Sequence, residues 1–332
     1  MSIEQPADTS AHRGAQTSRV VAVVVTYNRE HLIGECLDAL AAQSRPLDAI
    51  VVVDNASSDA SGRIARDHAA GADVLALHRN VGGAGGFAAG IARALEHHDA
   101  DWVWVMDDDT IPSPGAVQAL VSALAGSPVR LSVLSSRAEW TDGREHPMNR
   151  PRTRLGATRA ERADAAMAAP GARPIRTASY VSALLNAQDV RRLGLPWADY
   201  FIWSDDFEHT GRLLRHGRGV HVPGSIVEHR TATFANAQAS PGGRFYYDVR
   251  NRVWALLRTR SFTATERVVY GGRTVLGWLL MLVRTRDTDL VGIGARALRD
   301  ALARGPRRSD VVLAADPAAA ADVRRIERAA GR

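Results

Sequence analysis

Along the first 125 residues, apolar runs and amphipathic stretches alternate regularly. "RVVAVVVTY" (Arg19 to Tyr27) is a continuous β-branched run, the pattern of a strand buried on both faces. A helical stretch spans Glu30 to Gln43, and "AIVVVDN" reads as a second strand. "SSDASGRIARDHA" opens with capping residues and predicts a helix. "ADVLALH" is a third strand, "GGAGGFAAGIARALEHH" a glycine-started helix and "DWVWVM" a fourth strand. "PSPGAVQALVSAL" predicts one more helix with proline in its first turn. Four strand–helix units in succession predict an α/β fold with a mainly parallel, twisted, doubly wound sheet.

The regularity breaks between Thr141 and Thr177, where Arg, Ala and Pro dominate and a mobile excursion that orders around substrate is expected. "ASYVSALLNA" restores buried character. "DYFIWSDDFEHTGRLLRHGRG" places two acids before a helix running from Phe207 to His216, and "VHVPGSIVEHR" supplies two short extended pieces. From Pro241 onward the chain reads as helical and Arg-studded. Within that region "TVLGWLLMLV" (Thr274 to Val283) is far shorter than the about 20 apolar residues that a membrane span needs. Two readings stay open for it: an Arg-flanked helix in an anionic membrane surface, or a helix buried on the main domain. "DPAAAADVRRIERAAGR" is expected to be a frayed terminal helix or tail. The expected organisation is a disordered polar tail over 1–18, an α/β domain over 19–240 and a helical C-terminal region over 241–332.

Composition narrows the chemistry. The polar N-terminus lacks the apolar core of a signal peptide, and Cys36 is the only cysteine, so neither a disulfide framework nor a cysteine metal cluster exists. A reducing, cytoplasmic setting is expected. The net charge is +6, and all 42 basic residues are arginine. Without lysine there is no Walker A phosphate loop, no Schiff base and no lysine general base. Arginine favours bidentate contacts to phosphate. No recognition motif or aromatic–basic interleaving points to nucleic acid.

In doubly wound sheets ligands bind beyond the carboxyl ends of the strands. Four polar clusters gather there: Thr26, Tyr27, Asn28 and Arg29 after strand one, Asp54 and Asn55 after two, Arg79 and Asn80 after three, and Asp107, Asp108 and Asp109 after four. Adjacent acids repel and lose solvation when buried, so a bare cluster is unfavourable. Asp107 and Asp109 flank one residue, a spacing that lets two carboxylates reach a single hard cation. Mn²⁺ or Mg²⁺ takes few protein carboxylates and completes its shell with phosphate oxygens and water. The alternative is a solvated turn with helix-capping acids. "GAGGFA" (Gly83 to Ala88) matches a dinucleotide fingerprint, but it follows the third strand and the acids are left without a use. Aspartate-nucleophile phosphatases share D-x-D but usually use a lysine, which this chain lacks.

Taken in order, "VVVTYNRE", "VVVDNASSD", "RNVGGAGGF", "DWVWVMDDD", "YFIWSDDFEHTGRLLRHG" and "VEHR" resemble family-2 glycosyltransferases, which have the GT-A nucleotide-sugar-binding fold. "NVGGAGGF", "DDD" and "RFYYDVRNR" look most similar to galactofuranosyltransferases that initiate cell-wall galactan, with dTDP-rhamnose-using rhamnosyltransferases next. The resemblance implies inverting transfer from a nucleoside-diphosphate sugar, with UDP-galactofuranose the expected donor. It implies that Asp54 contacts the base and that Thr26 to Arg29 and Asn55 line the nucleotide cleft. Arg79, Asn80, Gly82 and Gly83 would approach ribose and sugar, and Asp108 would face the donor sugar. Asp107, Asp109 and His229 match the metal ligands. Asp206 matches the catalytic base, with Asp205 a close competitor and Glu208 a supporting acid. The implied acceptor is a polyprenyl-diphosphate-linked glycan, met at the inner face of the cell membrane, with Arg244, Arg250 and Arg252 as candidates for its diphosphate. A non-catalytic nucleotide-sugar-binding protein is the alternative of another class.

Overall fold

The computed structural model describes residues 17–231, 233–234 and 242–332. The expected disordered tail therefore lies almost wholly outside the described residues, as does the 240/241 boundary. Ten strands form one twisted sheet: β1 (Val20–Thr26), β2 (Ala49–Asp54), β3 (Asp73–Ala76), β4 (Trp102–Asp107), β5 (Thr110–Pro112), β6 (Val133–Glu139), β7 (Arg152–Thr153), β8 (Arg173–Thr177), β9 (Ala183–Asn186) and β10 (Gly219–His229). Their order is β3-β2-β1-β4-β9-β6-β10-β8-β7, with β5 paired to β10.

The sheet is parallel across β3, β2, β1 and β4, and mixed beyond, because β9 enters antiparallel between β4 and β6. Strand β1 explains the layering. All seven of its residues are buried, and the two-residue period sends Val21, Val23 and Val25 to one face and Val20, Ala22 and Val24 to the other. The first face packs on α3 (Gly82–His97). The second packs on α1 (Ile33–Ala41) and α4 (Ala116–Gly126). The short α2 (Ser61–Asp67) connects β2 to β3.

Several expectations change. The prolines expected in the first turn of α4 lie ahead of it: Pro112 closes β5, and the helix starts after Gly115. Pairing of β5 with β10, Thr110 opposite His229, keeps that segment extended. The two extended pieces near Val220 are one eleven-residue strand, β10, whose register shifts between Val222 and Ile226, where Pro223 and Gly224 fall. The Thr141–Thr177 stretch is not an irregular excursion. It holds a one-turn helix at Pro147–Asn149, β7, α5 (Arg159–Ala168) and β8. A Thr158–Glu161 capping box starts α5, which satisfies two backbone donors that would otherwise lack partners.

After β9 come α6 (Ala187–Leu193), α7 (Asp205–Leu213) and, beyond β10, α8 (Phe245–Val253), α9 (Ala264–Thr285), α10 (Thr288–Ala303), α11 (Ser309–Val312) and α12 (Pro317–Ala329). The last helix is not a frayed tail. Ala319, Ala320, Val323 and Ile326 share one face and are buried in the core beside α3. Helix α9 carries the apolar stretch whose placement the sequence left open, and it is not buried on the main domain: Tyr270 is its one buried residue. Val268, Leu280 and Val283 are 75%, 61% and 74% exposed. No helix among the described residues is long and apolar enough to cross a membrane.

Candidate active site

Strand β4 carries its acids to the carboxyl edge of the sheet. β5 then turns back along β10 and sets His229 opposite Thr110, so the last acid and the histidine meet across two strands. One atom each of Asp107, Asp109 and His229 lies within 4.8 Å of the others, close enough to share one ion. His229 Nε2 is 3.2 Å from Asp109 Oδ1, a buried oxygen without a hydrogen bond of regular geometry. On the other side of the ring, Nδ1 meets Asn149 Oδ1 at 2.9 Å, while Asn149 Nδ2 donates to Ser179 Oγ at 3.3 Å. With the amide oxygen facing the ring, Nδ1 is the donor, and Nε2, directed at the acids, is the atom that would offer its lone pair to an ion. Two carboxylates, one of them with an orphaned buried oxygen, and an imidazole fit Mn²⁺ or Mg²⁺.

The charge state follows from the setting. Burial and the Asp109 charge push Asp107 up to about 7, and the same two causes push Asp108 up to about 7. Burial opposes ionisation of Asp109, but the His229 imidazole beside it outweighs that and holds its carboxylate below the usual range. Burial would lower His229; Asp109 reverses that and raises it. Arg29 lies 3.6 Å from Asp108 and 3.8 Å from Asp109.

The second group of acids opens α7. Phe201, Trp203 and Ser204 just before it all have left-handed backbone, with φ of 65°, 65° and 67°. Such conformations cost roughly 1–3 kcal/mol each in non-glycine residues and persist where surrounding contacts fix them. Here Asn251, fully buried in α8, directs its Nδ2 at the carbonyls of Tyr200, Ile202 and Trp203 at 2.8, 2.9 and 2.8 Å. Arg250 Nη2 donates to the Asp199 and Tyr200 carbonyls at 2.7 and 3.1 Å. Gly82, at φ +73°, closes the clamp, because a Cβ there would stand 2.0 Å from the Phe201 carbonyl oxygen. The loop delivers Asp205 and Asp206 to a cavity of about 640 Å³ that Asp107 and His229 also line, together with Gly83, Asn149, Ser179 and Trp203. Burial and Asp206 raise Asp205 well above the ordinary carboxylate range; burial likewise raises Asp206, although its Oδ1 accepts the Phe207 N–H at 2.6 Å.

Some expected roles do not match the geometry. Glu208 turns away from the cavity, fully buried, to pair with Arg212 at 3.0 Å and accept from Ser261 Oγ at 2.6 Å, so it is a structural ion pair. Arg250 clamps the acid loop and is not free for a diphosphate, whereas Arg252 does line the cavity. Arg79 donates to the Val312 carbonyl at the edge of α11. Gly82 meets the Phe201 carbonyl, and Gly83 is the glycine that lines the cavity. Asn80 and Asn55 shape the entry to α3: their Oδ1 atoms accept from Gly82 N at 2.7 Å and Val81 N at 2.9 Å. At the sheet edge, Tyr27 N donates to Asp108 Oδ2 at 3.1 Å, Asn28 Oδ1 accepts from Ser58 N at 2.8 Å, and Asp54 Oδ1 accepts from Ser57 N at 2.9 Å. Thr26 is fully buried below them at the end of β1.

The model of Glycosyl transferase family 2 matches residues 21–181. Galactofuranosyltransferase GlfT1 of Mycolicibacterium smegmatis is 31% identical over 203 residues, which span 60% of this chain and 67% of that protein. The chain belongs to glycosyl transferase family 2. GlfT1 of Mycobacterium tuberculosis is 34% identical over 210 residues, covering 60% of this chain and 66% of its own length. Among solved structures, Staphylococcus aureus TarS in complex with UDP-GlcNAc superposes with a TM-score of 0.58 at 16% identity, over 94% of this chain and 90% of that one. The Pyrobaculum calidifontis mannosyltransferase PcManGT in complex with GDP-Man and Mn²⁺ gives 0.51 at 19% identity, over 98% and 90%. This family-2 glycosyltransferase thus has a GT-A-type fold with a helical C-terminal region.

Asn149, Ser179 and Asn251 were missed by sequence reasoning. Asn149 falls in the stretch read as irregular, and Asn251 in a motif assigned to ligand arginines. Replacing Asn149 by alanine is expected to weaken Mn²⁺ binding by about 10–100-fold, because the ring loses the acceptor that orients it. Calorimetric titration with Mn²⁺ checks this; affinity within twofold of the parent chain contradicts it.

Proposed function

We propose that this family-2 glycosyltransferase moves galactofuranose from UDP-galactofuranose, with inversion, onto a hydroxyl of a polyprenyl-diphosphate-linked glycan. One observation carries the reading: Asp107 and His229, which with Asp109 form the acid–histidine group, line a single cavity with the α7 acids Asp205 and Asp206. Direct displacement needs a charge-stabilising site for the leaving diphosphate on one side of the sugar and a proton acceptor on the other. The GlfT1 similarity supports the sugar, and dTDP-rhamnose is the competing donor.

In this reading Asp107, Asp109 and His229 hold a divalent cation, which when bound neutralises charge on the leaving diphosphate. Arg29 adds positive charge at the same edge. Asp54, Asn55 and the Thr26–Arg29 turn bound the nucleotide side, and Asp108 faces the donor sugar. Asp206 accepts the proton of the incoming hydroxyl, with Asp205 beside it sharing the titration of the pair. The catalytic unit spans 19–240 and the helical region 241–332. A peripheral position at the inner face of the cell membrane is supported by the exposed apolar stripe of α9, flanked by Arg273, Arg284 and Arg286.

One experiment tests both halves. The protein is mixed with Mn²⁺, labelled UDP- or dTDP-sugars, and anionic vesicles carrying a prenyl-diphosphate-linked glycan, then sedimented. Label from UDP-galactofuranose is expected in the lipid, with the protein in the pellet. No incorporation from any donor overturns the enzymatic reading; incorporation with the protein left in the supernatant overturns the membrane reading.

A further inference from the structure

A second cavity, of about 230 Å³, adjoins the catalytic one and shares Arg152, Trp203, Asp248 and Arg252 with it. Its outer wall adds Arg273, Trp278 and Met281 from α9 and Phe245 from α8. Three guanidinium groups therefore face one carboxylate. Asp248 is already engaged: it accepts from Trp278 Nε1 at 2.7 Å and lies 3.6 Å from Arg252 Nε. Arg152 and Arg273 have no ion pair or side-chain hydrogen bond among the described residues, although Arg152 is half-buried. Arg152 instead lies over the rings of Phe207 and Tyr270, at 5.1 and 5.4 Å. Burial, with Arg252 nearby, pushes its guanidinium down to about 10. Asp206 across the shared wall offsets part of the Arg152 charge, but a half-buried guanidinium held near two others with no ion pair of its own stays unfavourable unless a further anion joins it.

The anion's charge and attachment can be read from the walls. A net excess of two positive charges, presented as planar forks, matches a diphosphate better than a single carboxylate. The cavity lies on one side of α9; the helical period puts Leu276, Leu279, Leu280 and Val283 on the other, exposed side. An α-helix is about 10–12 Å across, so a bilayer against that outer face would leave its phosphate layer near the cavity's depth.

Resting on the glycosyl-transfer reading, we infer that Arg152, Arg252 and Arg273 form the subsite for the two phosphates of a prenyl-diphosphate-linked acceptor. The sugar end then reaches Asp206 through the shared wall, while the prenyl chain leaves past α9.

The test is quenching of tryptophan fluorescence, since Trp203 and Trp278 line the cavity. Geranyl diphosphate is titrated in EDTA, so that no cation at Asp107 and Asp109 recruits the diphosphate. Saturable binding is expected, weakened at least tenfold by Arg273→Gln and by Arg152→Gln, and partly restored by Arg273→Lys. Inorganic pyrophosphate is expected to bind at least fivefold more weakly, and geraniol not to saturate. Arg273 is exposed on α9, and an unchanged thermal midpoint verifies that its variant folds. Affinities within twofold for both glutamine variants overturn the subsite, and equal affinity for pyrophosphate overturns the lipid source. A chain that binds geranyl diphosphate in this arginine-dependent way yet transfers no sugar overturns the glycosyl-transfer reading alone.

Discussion

Replacing Asp109 by alanine is expected to lower sugar transfer by about 10³-fold or more, and EDTA is expected to do the same to the unaltered chain. The acid sits where β4 ends and β10 returns, and its Oδ1 faces His229 Nε2 at 3.2 Å. Without it, only Asp107 and His229 would remain to hold a cation, too few anionic oxygens to keep it in place against a diphosphate leaving group. UDP affinity measured with and without Mn²⁺ separates this from misfolding: the parent chain gains affinity with the ion and the variant gains none. Full transfer in metal-free buffer would refute the role of the triad.

Asp206→Asn has the second large expected effect. An amide is close to isosteric with the carboxylate but cannot take the hydroxyl proton, so turnover is expected to fall by about 10²–10⁴-fold with donor affinity retained. Burial raises Asp206, so the acid limb of the parent's turnover is expected above pH 4, the ordinary range for a carboxylate. The protonated form present below that limb accepts no proton, hence activity rises with pH. Comparison of kcat and UDP-sugar affinity decides the matter. Turnover unchanged in Asp206→Asn but lost in Asp205→Asn would move the base to the neighbouring acid, and loss in neither would place it outside α7.

The parallel half of the sheet was legible because a strand buried on both faces must be apolar, and β1, β2 and β4 are apolar up to their last residue. The Asp107–Asp109 run was legible as a site for the complementary reason that adjacent buried acids call for a positive partner. The second half was harder to read. β6 carries Ser135, Ser136 and Arg137 at its centre, and Ser136 is satisfied by Ser182 and Ser225 across the sheet at 2.7 Å each, a solution visible only after folding. Asn149, Ser179 and Asn251 gave no local signal, since an asparagine's partner is set by chain segments that are distant in sequence.

The sequence by itself determined that an apolar strand ends in three acids and that a later helix begins with two, because period and polarity are local properties of the chain. The tertiary structure decided that those two places share one cavity. It turned Arg250 and Glu208 into supports and left Arg152 and Arg273 without ion pairs among the described residues. Which charge finds a partner depends on distances between segments as far apart as Asn149 and His229, or Tyr200 and Asn251, and only packing sets those distances.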